Sequence, residues 1–211
     1  MKIVCVSDTH GMHRQMTHLV PNGDILIHAG DFTLGQDPAA ETQDFGKWLG
    51  EQPHRFKLVI AGNHDRGFEE EPEKYRRLLA NCHYLENDWI IIKGIKFYGA
   101  PQTPRFMDWA FNVDRGESIA KFWRRIPRDT RVLITHGPAY GKRDQTRPNT
   151  EHLGDEELDK WLENGHNKVQ YHIFGHIHGG HGRMEDRIVR VNAAICNEAY
   201  RPVNKPIVLE I

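Results

Sequence analysis

Phe56-Lys57-Leu58-Val59-Ile60-Ala61-Gly62-Asn63-His64-Asp65 is the stretch on which the reading of the fold turns. An apolar run without polar alternation ends at a glycine, and three polar side chains follow at once. Such a run predicts a strand buried on both faces, as in the parallel sheets of layered α/β proteins. The same pattern recurs along the chain. Lys2 to Val6 leads into Ser7-Asp8-Thr9-His10-Gly11, and Asp24 to Ala29 leads into Gly30-Asp31. Arg131 to Ile134 leads into Thr135-His136-Gly137-Pro138, and Tyr171 to Phe174 leads into Gly175-His176-Ile177-His178-Gly179-Gly180. Five predicted strands therefore end in aspartate, asparagine or histidine. In an open α/β sheet the carboxyl ends of several strands converge on one crevice, so residues far apart in sequence meet there.

Helical patterns lie between these strands. Asp37-Pro38 has the chemistry to cap and open a helix reaching Gly50, with Phe45, Trp48 and Leu49 on its apolar side. Pro72 opens another, carrying Tyr75, Leu78 and Leu79. Residues 116–126 place Ile119, Phe122, Trp123 and Ile126 at helical spacing, and Asp155 caps a short helix bearing Leu158, Trp161 and Leu162. Trp89 to Tyr98 reads as a hairpin turning near Lys93-Gly94, and further strands are expected at Ile188–Val191 and Ile207–Glu210. Two irregular stretches, 101–115 and 137–154, are long enough to form a rim around the strand ends.

At 211 residues, with no internal repeat, no low-complexity segment and no linker, the chain is expected to form one domain spanning 1–211. Lysine plus arginine is 28 and aspartate plus glutamate 29, a near balance that gives no global attraction to nucleic acid or anionic lipid. Cys5, Cys82 and Cys196 are too scattered for a disulfide framework. No apolar run reaches membrane-span length and no apolar leader follows Met1-Lys2, so a cytoplasmic location is expected. Oligomeric state is not legible.

Asp8 and His10 stand two apart, on one side of an extended segment, and His176 and His178 repeat the relation. With Asp31, Asn63 and His136 they make seven oxygen or nitrogen donors. That exceeds one tetrahedral zinc site and matches two ions about 4 Å apart sharing a carboxylate. Carboxylate and imidazole without thiolate suit Mn2+, Fe2+/Fe3+, Zn2+, Co2+ or Ni2+ over copper(I) or iron–sulfur.

The series Asp8-Thr9-His10, Gly30-Asp31, Gly62-Asn63-His64-Asp65, His136-Gly137 and Gly175-His176-Ile177-His178 resembles the calcineurin-like metallophosphoesterase signature, complete and in family order. Asp108-Trp109-Ala110-Phe111-Asn112, Val191-Asn192-Ala193 and Pro202 to Val208 are similar to a narrower group, the small metallophosphoesterase-domain-containing proteins. The resemblance implies a four-layer α/β/β/α sandwich with mixed sheets. It implies one metal on Asp8, His10 and His178, a second on Asn63, His136 and His176, and Asp31 bridging them. It makes His64 the substrate-facing histidine.

Two cations would neutralise phosphate oxygens and acidify a bridging water, whose hydroxide attacks phosphorus in line. His64 would stabilise the phosphoryl oxygens or protonate the leaving alkoxide. Asp65 would orient His64 or brace its loop, unless it is simply a solvated turn residue. The expected activity is a binuclear-metal-dependent phosphodiesterase on a small phosphoester, with nucleotides and cyclic nucleotides as candidates. A phosphomonoesterase on the same site and a metal-stabilised interaction scaffold are the alternatives. Phe32-Thr33-Leu34-Gly35 after Gly30-Asp31 departs from the protein serine/threonine phosphatase block. Arg105, Arg143 and Arg147 are the candidates for contacting an extra phosphate, His181 for touching substrate, and Trp109 and Phe111 for stacking on a nucleobase or packing in the core.

Overall fold

A computed structural model describes residues 1–146 and 150–211. One sheet runs, in spatial order, β13 (Ile207–Glu210), β1 (Lys2–Val6), β2 (Ile25–Ala29), β3 (Phe56–Ile60) and β4 (His83–Tyr84). The other runs β11 (Gly182–Glu185), β12 (Val189–Asn192), β10 (Tyr171–Phe174), β9 (Val132–Thr135), β6 (Ile95–Ala100) and β5 (Asp88–Ile92). Both are mixed. The inner strands β1, β2 and β3 pair in parallel, as do β6, β9, β10 and β12, while β13, β11 and β5 close the edges antiparallel. The helices are α1 (His13–Met16), α2 (Pro38–Glu51), α3 (Gly67–Glu70), α4 (Pro72–Leu78), α5 (Glu117–Trp123) and α6 (Glu156–Glu163). Among the described residues none is long and apolar enough to cross a membrane.

The layers follow from the two-residue period of a strand. On β1, Ile3 and Cys5 face inward and join Ile27, Leu58, Phe97, Val132, Ile134, Ile173 and Val191 in a core between the two sheets. Val4 and Val6 face outward onto Phe45, Trp48 and Leu49 of α2, Met16 of α1 and Tyr75 of α4. The second sheet does the same with Tyr98 and Leu133, which pack on Ile119 and Trp123 of α5 and Leu158 and Leu162 of α6. The result is the α/β/β/α sandwich expected from the sequence.

The capping predictions hold at the level of atoms. The Asp37 carboxylate accepts from Ala40 N, and Asp155 accepts from Leu158 N. The β5–β6 hairpin turns at Lys93 and Gly94, with φ of 49° and 79°. Two departures are local. The helix expected over 116–126 is regular only over α5, because Arg125 N and Ile126 N bond to carbonyls three residues back and Pro127 follows. The stretch 101–115 is not wholly irregular: β7 (Thr103–Pro104) and β8 (Asn112–Val113) pair in parallel within it.

Two further histidines lie within strands and not in the loops that follow them. His28 on β2 meets the Thr9 hydroxyl at 2.9 Å, and His172 on β10 meets the Thr135 hydroxyl at 2.7 Å; both are fully buried. Burial pulls His28 down to about 3 and His172 well below its ordinary value near 6.5. Above pH 6.5 both rings are neutral whether the chain is folded or not. Below it the unfolded chain gains protons that the fold refuses, so stability falls with pH until the folded value is reached. His28 is expected to cost about 2 kcal/mol of stability at pH 5 relative to pH 7, and His172 acts in the same direction. Denaturant titrations at the two pH values measure this, and His172→Gln should flatten the difference; an unchanged pH dependence in that variant would contradict the assignment.

Candidate metal centre

Every residue singled out at a strand end sits at the same edge of the sandwich. Asp8 and His10 follow β1, Asp31 follows β2, and Asn63, His64 and Asp65 follow β3; His136 follows β9, and His176 and His178 follow β10. The first three strands belong to one sheet and the last two to the other, so the site spans the gap between sheets. Bonds within the first sheet and across that gap hold the loops in register. Asp8 N donates to Gly30 O at 2.9 Å and His10 N to Asp31 O at 3.0 Å within the first sheet. His176 N, from the second sheet, donates to the Asp8 carboxylate at 3.0 Å.

The backbone here is bent in a way few side chains tolerate. Asp8, His10, Asp31 and His176 have φ of 52°, 43°, 57° and 66°, all in the left-handed region. Asp and His visit it more readily than most residues, yet each instance still costs on the order of 1 kcal/mol. Four at one site turn their side chains toward a common centre. The close fit extends to Gly62 and Gly175. A Cβ on Gly62 would lie on the Asp31 carboxylate and 2.6 Å from the His136 ring, and one on Gly175 would overlap Asp8 and Ser7 side-chain oxygens.

Donor atoms of Asp8, His10 and His178 lie within 4.8 Å of one another, and so do those of Asp31, His136 and His176. Asp31 Oδ2 stands between the two groups, 3.9 Å from His10 Nε2 and 3.3 Å from His136 Nε2. Asn63 Oδ1 is 2.9 Å from His136 Nε2. Three of the rings are oriented from behind. His10 Nδ1 meets Thr33 O at 3.3 Å, His136 Nδ1 meets Ala29 O at 2.9 Å, and His178 Nδ1 meets Asn197 O at 2.8 Å. A carbonyl oxygen accepts only, so each Nδ1 carries its proton and Nε2 turns a lone pair inward in the neutral ring. The Nε2 atoms of His10 and His178 face each other at 3.2 Å, an arrangement that calls for a positive charge between or beside them.

The electrostatics agree. Burial alone would raise the Asp8 and Asp31 carboxyls, but His178 holds Asp8 below its ordinary range and His136 holds Asp31 well below it. Burial pulls the other way on the histidines. It takes His10 and His176 down to about 4, while His136 and His178, each against a carboxylate, are pushed up to about 9 and about 8. Two buried carboxylates thus demand two positive charges, as protons on histidine or as cations. The oxygen and nitrogen donor set, the inward lone pairs and the charge demand fit a pair of metal ions.

His64 forms the wall beside this centre. Its ring lies 4.2 Å from Trp109, edge-on to His10 at 4.7 Å, and its backbone N donates to Asp31 Oδ1 at 2.8 Å. Asp65 does not touch that ring. Its carboxylate accepts from Asp31 N, Gly62 N, Thr33 N and the Thr33 hydroxyl, and it is 1% exposed. Asp65 is therefore neither a solvated turn residue nor a catalytic group; it braces the loops bearing Asp31 and His64. Burial and the neighbouring Asp31 charge push its carboxyl up to about 7.

A cavity of about 460 Å³ opens onto Asp31, Asn63, His64, His176 and His178. Arg105 and Trp109 line it; Phe111 does not, being packed in the core under α2. Arg143 is corrected from phosphate contact to brace: its guanidinium donates to the carbonyls of Gly180, His181 and Arg183. His181 is absent from the lining, and Arg147 lies outside the described residues. Sequence reasoning missed Tyr200, which also lines the cavity and sits edge-on to His10 at 4.7 Å and His178 at 5.6 Å. It belongs to no strand end, and only the structure shows that Asn197 ties its turn to His178.

Comparison with known proteins bears on the same residues. Residues 1–180 match the calcineurin-like phosphoesterase family. The human metallophosphoesterase domain-containing protein 1 is 39% identical over the whole of this chain and 71% of its own length. The Caenorhabditis elegans UPF0046 protein K07C11.7 is 37% identical over the whole chain and 75% of its own. Among solved structures, the phosphopantetheinyl hydrolase PptH of Mycobacterium tuberculosis superposes with a TM-score of 0.65 at 13% identity, over 94% of this chain and 90% of that one, a likeness of fold. With its sandwich, its strand-end donors and these relatives, the chain belongs to the calcineurin-like metallophosphoesterase superfamily, close to the metallophosphoesterase-domain-containing group.

Proposed function

We propose that this chain is a binuclear-metal-dependent phosphohydrolase of small phosphodiesters, cyclic nucleotides among them. One observation carries the reading: among the described residues, the donor groups Asp8/His10/His178 and Asp31/His136/His176, linked by a third of His10, Asp31 and His64, gather around Asp31 and open into the cavity. Asp8, His10 and His178 would hold one ion, Asn63, His136 and His176 the other, and Asp31 both. Carboxylate, amide and imidazole donors suit manganese, iron, zinc, cobalt or nickel. When bound, the pair supplies neutralising charge for the phosphoryl oxygens and an acidified water as nucleophile.

The chain's own residues do the rest. The carbonyls of Thr33, Ala29 and Asn197 keep the Nδ1 protons in place, so the Nε2 lone pairs of His10, His136 and His178 stay aimed inward. Trp109 and His10 hold the His64 imidazole at the cavity wall, where it donates a hydrogen bond to a phosphoryl oxygen or a proton to the leaving alkoxide. Asp65 keeps the turns bearing Asp31 and His64 fixed.

Purified protein equilibrated with manganese is expected to retain two ions per chain by elemental analysis. Asp31→Asn should lower the occupancy of both; loss of a single ion would contradict a shared ligand. Gly175→Ala, whose methyl group collides with Asp8, should weaken metal retention while leaving the circular dichroism spectrum unchanged. His64→Ala should keep both ions and lose about 100-fold or more in turnover, and undiminished turnover would remove His64 from the reaction. Bis(4-nitrophenyl) phosphate should be hydrolysed with higher kcat/KM than 4-nitrophenyl phosphate; the reverse order would make the protein a monoesterase. Metal retention without hydrolysis of either ester would favour a scaffold.

A further inference from the structure

The edges of the two large sheets are not finished alike. β4 is two residues long, β11 holds the charged pair Arg183 and Glu185 outward, and β13 ends in exposed Glu210. Short length and outward charge are the usual protection of an edge strand. β5 lacks both: Asp88 is followed by Trp89-Ile90-Ile91-Ile92, and no further charge comes before Lys93. Trp89 is 48% exposed and Ile91 53% exposed. Among the described residues, no other strand of these sheets exposes a large apolar side chain to that degree.

Register determines where the groups of β5 point. Trp89 stands opposite Tyr98 and Ile91 opposite Lys96, so both lie on the outer face of the sheet; Ile92 joins the core between the sheets and Ile90 packs against it. Lys93 and Gly94, both at positive φ, form a two-residue turn, which makes Ile92 and Ile95 the hydrogen-bonded pair that closes it. Backbone groups alternate along a strand, so those of Ile90 and Ile92 turn to β6 and those of Trp89 and Ile91 to the open side. Two bonds agree. Lys96 O, opposite Ile91, accepts from Arg131 N on the β9 side, and Trp89 N donates to the adjacent Asp88 Oδ1 at 2.7 Å. The open side of β5 thus joins a free row of backbone donors and acceptors to an apolar face.

The geometry points to a second copy of this chain as the occupant, its β5 added antiparallel to the first about a two-fold axis at Ile90. Residues with outward backbone groups must face one another, so Trp89 falls opposite Ile91 of the second copy and Ile91 opposite its Trp89. That is an aromatic–branched pair made twice. The strand is also self-complementary in charge. Asp88 lies at one end and Lys93 at the other, so antiparallel pairing brings each beside its opposite. Lys96, 4.6 Å from the Trp89 ring, is neutralised by Asp129 at 2.7 Å and adds little repulsion between copies. Such a contact closes on itself at two copies and joins two six-stranded sheets into one. No metal donor lies on β5 or β6, so the dimer stands apart from the phosphoesterase reading.

Sedimentation velocity over a range of protein concentrations reads the association, and amide hydrogen exchange reads the edge. A monomer–dimer equilibrium with a micromolar Kd is expected, with the Trp89 and Ile91 amides exchanging more slowly as concentration rises. Ile91→Lys, at an exposed position, should raise Kd by about tenfold or more, with manganese content and circular dichroism as in the wild type. Asp88→Lys should raise it by about fivefold, and combining it with Lys93→Asp should restore association to within about threefold of the wild type. That charge exchange decides the matter if Ile91→Lys does not fold. A dimer indifferent to these substitutions, an exchange that restores nothing, or a species larger than a dimer overturns the proposal. So does a wild type that stays monomeric at millimolar concentration, which would leave the edge to a strand of another protein.

Discussion

Two fully buried carboxylates, Asp8 and Asp31, sit where the two sheets of the sandwich meet, and the site is arranged around the need to satisfy them. An uncompensated buried carboxylate is among the costliest features a fold can carry. Here compensation comes across the sheet boundary. Asp8 lies at the end of the first sheet but receives its backbone donor from His176 and its ion-pairing ring from His178, both of the second. Asp31 likewise takes His64 N from its own sheet and the His136 ring from the other. The charges therefore couple the two sheets at their carboxyl ends, and the same groups that demand positive charge present the donors that would bind it. Strain and close contact follow from this demand. Side chains from five loops can reach one point only if the backbone bends into unfavourable states and Gly62 and Gly175 leave room.

Much of this is legible in the sequence. The apolar runs ending in polar clusters identify the strands because they are short, rich in β-branched residues and bounded by glycine turns, where a buried helix needs a longer run. Asp37 and Asp155 announced helix starts, since a short carboxylate placed before a helical pattern has one evident use. Strand-end donors were legible because topology, not side-chain detail, brings them together. What stayed hidden depends on single hydrogen bonds between distant segments. Nothing in the spelling of Arg143 separates a phosphate contact from a guanidinium tied to three carbonyls. For Asp65, next to a site histidine, the sequence leaves open steering that ring, bracing its loop or facing solvent, and the structure selects the brace. Tyr200 escaped because no periodicity marks a residue held by an asparagine turn.

The cavity draws on two kinds of support, the loops at the strand ends and loops that lie outside the sheets. At the metal end most groups are fixed by backbone carbonyls and amides of the loops that follow the strands, while Asn197 O behind His178 and Trp109 beside His64 tie it to loops outside the sheets. Those loops, 105–112 and 197–201, depend for their conformation on the Asn112 and Asn197 side chains. The fold is shared with a solved structure at 13% identity, so strand order alone does not dictate side-chain detail. The second kind of support is not independent of the first: a change in the turn at 197–201 reaches Asp8 through the Asn197 carbonyl and the His178 ring.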